Sequence, residues 1–330
     1  MPSTSNRSDR GRAGAGRLAR LAFAVALTVY VLWRSDPAAV WDACRAAHAG
    51  WLAAAVALVF VDRTLMALRW IDLLVALAPG SRPPLSAVLR VFFVSSFVSN
   101  FVPSVASDLY RAYALSRYDV HLAESTASVL MDRALGVLSV VIVSALALPF
   151  AHGLTARTPL VATILLLSAL CAAAAASVFS ERAAEGIRRL AALVPVKILH
   201  RVTDTLTEAV RRYAHHHGEL ARVLLFSVVV QIIRVLQGWC IGTALGIQAP
   251  LLAYFVFIPI IVLVMQIPIT PNGLGTTQWV FRELFTKQLG APAAAVFTFS
   301  ILFLSLGILG TLPGALLYLT DSATPRRNPT

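Results

Sequence analysis

A guanidinium in the middle of an apolar helix, with an amide one turn to either side, is equipped to hold an oxyanion. The stretch from Leu224 to Leu245 offers that set: Gln231, Arg234 and Gln237, three residues apart, in a span with no other charge. Steps of three keep them on one broad helix face. A charge at bilayer depth costs roughly 2.5–3.5 kcal/mol on insertion scales, so it is retained for a partner or for a function. Two readings stay open. The face binds a lipid phosphate or acidic headgroup, or Arg234 closes a buried pair with Asp62, Asp108 or Asp132.

Other charges lie in apolar surroundings. Asp132 and Arg133 are adjacent, so they point to different faces of their helix and cannot simply pair with each other. Asp108 and Arg111 lie after a proline break and are expected to meet them, as structure or as substrate contacts. Asp62 and Arg69, seven apart, share a helix face; Arg69 is expected to snorkel to an interface. A second break, Pro268 to Gly275, holds two prolines and two glycines with their freed backbone groups. Gly273 and Gly275 would line a cavity there. Thr276 or Thr277 would cap the helix that follows, with Gln278 in its first turn and Arg282 near the mouth. Asp108 is a candidate cap at the first break.

These sites need elements to hold them. The chain has 330 residues, 58% hydrophobic and 13% charged, with mean hydropathy +0.75. A soluble domain carries about 25% charged residues, so the composition is that of an all-α polytopic membrane protein. Cys44, Cys171 and Cys240 are scattered and form no CxxC, and no metal constellation is present in the sequence. No nucleophile, convincing acid/base pair or nucleotide-binding motif appears. Neither an enzyme nor a cofactor is expected. The net charge of +12 fits orientation and anionic lipid better than nucleic acid.

Residues 1–17 are Ser-, Gly- and Arg-rich, a disordered basic N-terminus. Apolar regions follow at 21–33, 51–77, 85–102, 124–150, 160–179, 224–245, 251–266 and 293–319. Between them, 180–222 is an amphipathic linker with eight Lys/Arg, five Asp/Glu and four His, and 321–330 is a short tail. The N-terminus carries five arginines and the tail two, whereas the loops at 151–158 and 246–250 carry one and none. The basic regions are therefore expected to be cytoplasmic, both termini included. Counting crossings then leaves 85–118 starting and finishing inside and 251–290 starting and finishing outside. Six transmembrane helices plus two opposed re-entrant hairpins are expected, arranged as an inverted repeat. Eight full crossings are the alternative, which would put Arg111 and Arg117 outside.

Several short motifs occur in order: Leu68-Arg69-Trp70, Asn100-x-x-Pro103 with Asp108-x-x-Arg111, Met131-Asp132-Arg133-x-x-Gly136, and Pro268 with Gly273-Leu274-Gly275. Together they make residues 18–320 resemble the lysylphosphatidylglycerol synthase transmembrane region, the flippase-like domain of the multiple peptide resistance factor. Two positions depart from that pattern. The first turn, Pro103-Ser104-Val105-Ala106-Ser107-Asp108, lacks the family's glycines, and Gln278 stands where the family has an acid. The aminoacyl-transferase domain that bifunctional members carry is not expected here. The resemblance implies a lipid translocase of the bacterial-type inner (plasma) membrane, its partners being membrane lipids with anionic headgroups. The rival is a non-transporting membrane partner of a glycosyltransferase or lipid-modifying enzyme, docked through the linker.

Overall fold

Long runs of Leu, Val, Ile and Ala without interior glycine clusters leave the backbone one way to satisfy itself in lipid, which is to coil into helices. The computed structural model describes residues 41–42, 45–77, 83–101, 104–118, 120–147, 185, 204, 208–213, 215–266 and 275–320. Every regular element among them is helical. Helix α1 is Ala49–Leu77, α2 Leu85–Val98, α3 Ser104–Leu115, α4 Leu122–Ala147, α5 His217–Ala244 and α6 Leu251–Gln266. After the second break come α7 (Thr276–Phe281), one π turn (Arg282–Thr286) and α8 (Lys287–Leu289). The chain continues with α9 (Ala293–Leu309) and α10 (Leu312–Thr320).

Four segments are long and apolar enough to cross a membrane: Ala49–Leu77, Leu122–Ala147, His217–Ala244 and Ala293–Leu319. They correspond to four of the six expected spans. The other two, 21–33 and 160–179, lie outside the described residues, as do the N-terminal segment, most of the linker and the tail. The two break sequences, Pro103 and 267–274 with Gly273, also lie outside them.

Helices α1 and α5 form an antiparallel pair. His48 N donates to Ala244 O at one end, and Tyr213 Oη donates to Leu73 O near the other. Burial, aided by Asp132, raises the Tyr213 phenol pKa, so it stays a neutral donor. Arg222 pairs with Asp72 at 3.1 Å beside it. Helix α4 runs antiparallel to α1, with Trp70 Nε1 bonded to Ser128 Oγ and Arg69 to Asp132.

The short helices come in two pairs. Helix α2 starts at the Leu77 end of α1, where Val88 and Phe92 pack with Trp70 and Leu74. It ends near Asn100, which donates to Thr311 Oγ1. Helix α3 runs back, its Arg111 reaching Ser95 and its Leu115 joining Val129 of α4. The second pair enters from the opposite end. Tyr254 of α6 lies against Gly242 of α5 and Ile258 against Gly238. The return leg packs Phe285 tilted against Tyr254 and edge-on against Phe257, and Phe281 edge-on against Phe299 and tilted against Phe303 of α9. The two pairs thus reach toward the middle of α1 and α5 from opposite ends.

Helix α10 closes over α2 through Gly314. A Cβ there would run into the carbonyl oxygen of Phe93, which is backbone and cannot rotate away. Gly314→Ala is therefore expected to force α10 off α2 and cost about 1–3 kcal/mol. Thermal unfolding in detergent checks this. An unchanged midpoint would mean that the two helices do not approach so closely.

Candidate functional site

Two arginine-rich clusters sit between α1 and its neighbours, about two turns apart along α1. The first is centred on Asp132. Arg69 donates Nε to Asp132 Oδ1 at 2.8 Å, with Nη2 2.6 Å from the same oxygen, and donates Nη1 to Ser227 Oγ of α5 at 3.0 Å. From α3, Arg111 lies 3.6 Å from Asp132 Oδ2, donates Nε to Ser95 Oγ at 3.1 Å, and stacks over Trp70 and Phe92. Asp132, Arg69 and Arg111 are all buried. On the next face of α4, Arg133 forms a two-bond fork with Asp108, both bonds 3.0 Å, partly open to the surroundings.

The second cluster is centred on Asp62. Arg234 of α5 donates Nε to Asp62 Oδ1 at 2.9 Å, and its Nη2 approaches Met66 Sδ at 2.8 Å. Arg63, next to Asp62, lies 3.9 Å from Oδ2 and donates Nη2 to Gly307 O at 3.1 Å. Each buried carboxylate is therefore shared by two guanidinium groups, one close and one farther. Each cluster carries a net charge of +1. A buried pair that only held helices together would be neutral, because an unbalanced cation in an apolar interior is costly.

The Asp62 cluster opens onto a cavity of about 230 Å³. Its polar wall is Asp62, Arg63, Arg234, Gln237 and Asn100. Val262 and Met265 from the end of α6, with Phe303 of α9, form an apolar wall. Asn100 lies two residues past the end of α2, and Met265 one residue before the end of α6, so the first legs of both short pairs terminate here. A larger cavity of about 680 Å³ lies between the residues just before α1, the end of α5 and the start of α9, and its lining is mostly apolar.

Several sequence expectations change in detail. Gln231, Arg234 and Gln237 do not act as one face. Gln231 Nε2 meets Ser139 Oγ of α4 at 3.3 Å, while Arg234 and Gln237 face the cavity. Two steps of three residues rotate about 120° around the axis, enough to pass from one neighbour to the next. Arg234 takes Asp62 as its partner, whatever else it binds. Arg69 does not snorkel, because Asp132 and Ser227 hold it inside. Asp108 is not a cap: α3 begins four residues earlier and Asp108 faces Arg133. Thr276 and Thr277 do not cap α7. The cap is Gly275, whose φ of 83° suits glycine, and its N–H donates to Gln278 Oε1 at 2.6 Å. Thr277 is buried. Arg282 is exposed on the π turn, away from the cavity.

Arg63 was missed as a site residue. The signal was available: an Asp-Arg doublet inside an apolar span, like Asp132-Arg133. Trp70 is core beneath Arg111, Trp239 packs edge-on against Trp51, and Trp279 is exposed. Cys240 is buried and free. Among the described residues no group of three or more His, Cys, Asp or Glu could hold a metal ion.

The family model of the lysylphosphatidylglycerol synthase TM region matches residues 17–314. No curated protein and no solved structure gives a significant match.

Proposed function

Because the chain belongs to the lysylphosphatidylglycerol synthase transmembrane family, we propose that this multi-pass membrane protein is a lipid translocase of the inner membrane. Its cargo would be an anionic or aminoacylated phospholipid, or a polyprenyl-phosphate-linked lipid. The headgroup would cross through the polar centre while the chains stay in the bilayer. The observation that carries this reading is the surplus positive charge held at mid-helix around Asp62 and Asp132. Such a surplus is tolerated where an anion visits.

The helix lengths support it. At 1.5 Å per residue, α2 covers about 21 Å and α6 about 24 Å, short of the roughly 30 Å hydrocarbon layer. Each pair would enter, turn and leave on its own side. The order long, short, short, long occurs twice, from α1 to α4 and from α5 through α6 and the α7–α8 leg to the α9–α10 span, with α1 and α5 antiparallel. That is the pattern of an inverted repeat. Arg211, Arg212 and Arg222 cluster at the Leu77 end, which would face the cytoplasm. A headgroup would then meet the Asp132 cluster before the Asp62 cluster.

The test is a leaflet-exchange assay. Purified protein is placed in liposomes with headgroup-labelled phosphatidylglycerol and lysyl-phosphatidylglycerol, and outer-leaflet label is quenched over time. Wild type should speed exchange of at least one, and folded Arg234→Ala should not. No exchange of either lipid would turn the reading toward a non-transporting partner, and binding to the basic linker would be examined next.

A further inference from the structure

The geometry points to a mid-membrane oxyanion site in the Asp62 cavity that takes one singly charged phosphate group, with Gln237 as a direct ligand. It deepens the translocase reading and rests on it only for the arrival of the lipid. Gln237 is 7% exposed, faces the cavity, and its Nε2 has no hydrogen-bond partner among the described residues. Buried amides are almost always paired, so an unpaired one on a side chain that lines a cavity marks a ligand position. Arg63 Nε, on the same polar wall, has no hydrogen-bond partner among the described residues either. Arg234 lines the same cavity, and a fifth of its side chain is accessible. These are all N–H donors, and donors converging on one space suit an oxyanion rather than a cation or a sugar hydroxyl.

Charge sets the class further. Arg63, Arg234 and Asp62 leave the cavity at +1, which one phosphodiester charge neutralises. A diphosphate would bring at least one further charge, unbalanced in an apolar interior and strongly disfavoured. The cavity volume of about 230 Å³ is the liquid space of about eight waters, room for a phosphate and a small polyol. Either a lipid headgroup or free phosphate could supply the group.

The test measures binding by the full chain in mixed micelles. The ligands are phosphatidylglycerol, neutral phosphatidylcholine, a polyprenyl diphosphate and inorganic phosphate. Wild type should favour phosphatidylglycerol over the diphosphate and ignore phosphatidylcholine. Gln237→Leu should weaken phosphatidylglycerol binding about tenfold, the loss of one hydrogen bond to a charged group. Its unfolding temperature should hold or rise, since leucine removes an unpaired donor. Gln237→Glu, which places a carboxylate in the cavity, should abolish binding. Equal phosphatidylglycerol affinity in wild type and Gln237→Leu overturns the assignment. So does a preference for the diphosphate, or unfolding of both variants. Saturable binding of inorganic phosphate that both variants lose would support the site with a soluble anion as its source. Gln237-dependent binding without leaflet exchange would sink translocation and keep the site. Exchange indifferent to Gln237→Leu would do the reverse.

Discussion

Asp132→Ala is expected to lower stability by about 3–5 kcal/mol, because it strands two buried cations at once. Arg69 would lose the carboxylate oxygen that both its Nε and Nη2 face, and Arg111 would lose its 3.6 Å neighbour. Neither can reach water by rotating, since both are buried. Ser227 and Ser95 still accept from them, but a hydroxyl dipole does not balance a full charge. The measurement is thermal unfolding in detergent beside Asp108→Ala. That variant breaks the fork to Arg133, whose side chain is 43% exposed. An open pair is worth about 0–1 kcal/mol, so its loss should be small. Adding Arg69→Met to Asp132→Ala should recover part of the loss by removing one stranded cation. Equal losses for the two aspartates would mean that the Asp132 cluster is wetter than its burial implies.

The sequence made the four long segments legible because each is an apolar run with only a few charges in it, and hydropathy reads such runs directly. It also marked where the shorter helices end, through the prolines and glycines at the two breaks. Partner choice was less accessible. That Asp132 and Arg133 part company follows from helix geometry alone. That Asp132 should take Arg69 depends on how α1 and α4 rotate against each other, which no local pattern encodes. Arg69 lies close enough to a helix end for snorkelling to look sufficient, and only the tertiary fold supplies a carboxylate for it. Likewise, Gln231 and Gln237 look equivalent about Arg234 until the neighbours are known. One then finds Ser139 and the other finds the cavity.

Arg63→Met separates structure from function because the two roles predict opposite changes. The short pair between Arg234 and Asp62 at 2.9 Å is untouched by this substitution. What goes is the cation 3.9 Å from Asp62, with its bond to Gly307 O. If the cluster only held helices together, a neutral pair would serve better than a pair with a surplus charge. Stability should then hold or rise, by as much as about 3 kcal/mol, the insertion cost of one charge, and exchange should be unaffected. If the surplus charge attracts the headgroup, the neutral cavity loses that attraction. A unit charge about 4 Å away at an effective dielectric near 20 contributes about 4 kcal/mol. Even a third of that is a factor of about ten. The expected result is therefore a stably folded protein whose leaflet exchange falls at least about tenfold. Full exchange at unchanged stability would make Arg63 a bystander and leave Arg234 with no more than a structural pair. Loss of exchange together with loss of folding would mean that the Arg63 bond to Gly307 O stabilises the fold by more than the surplus charge costs it, and would overturn the premise that a neutral cluster holds the helices better.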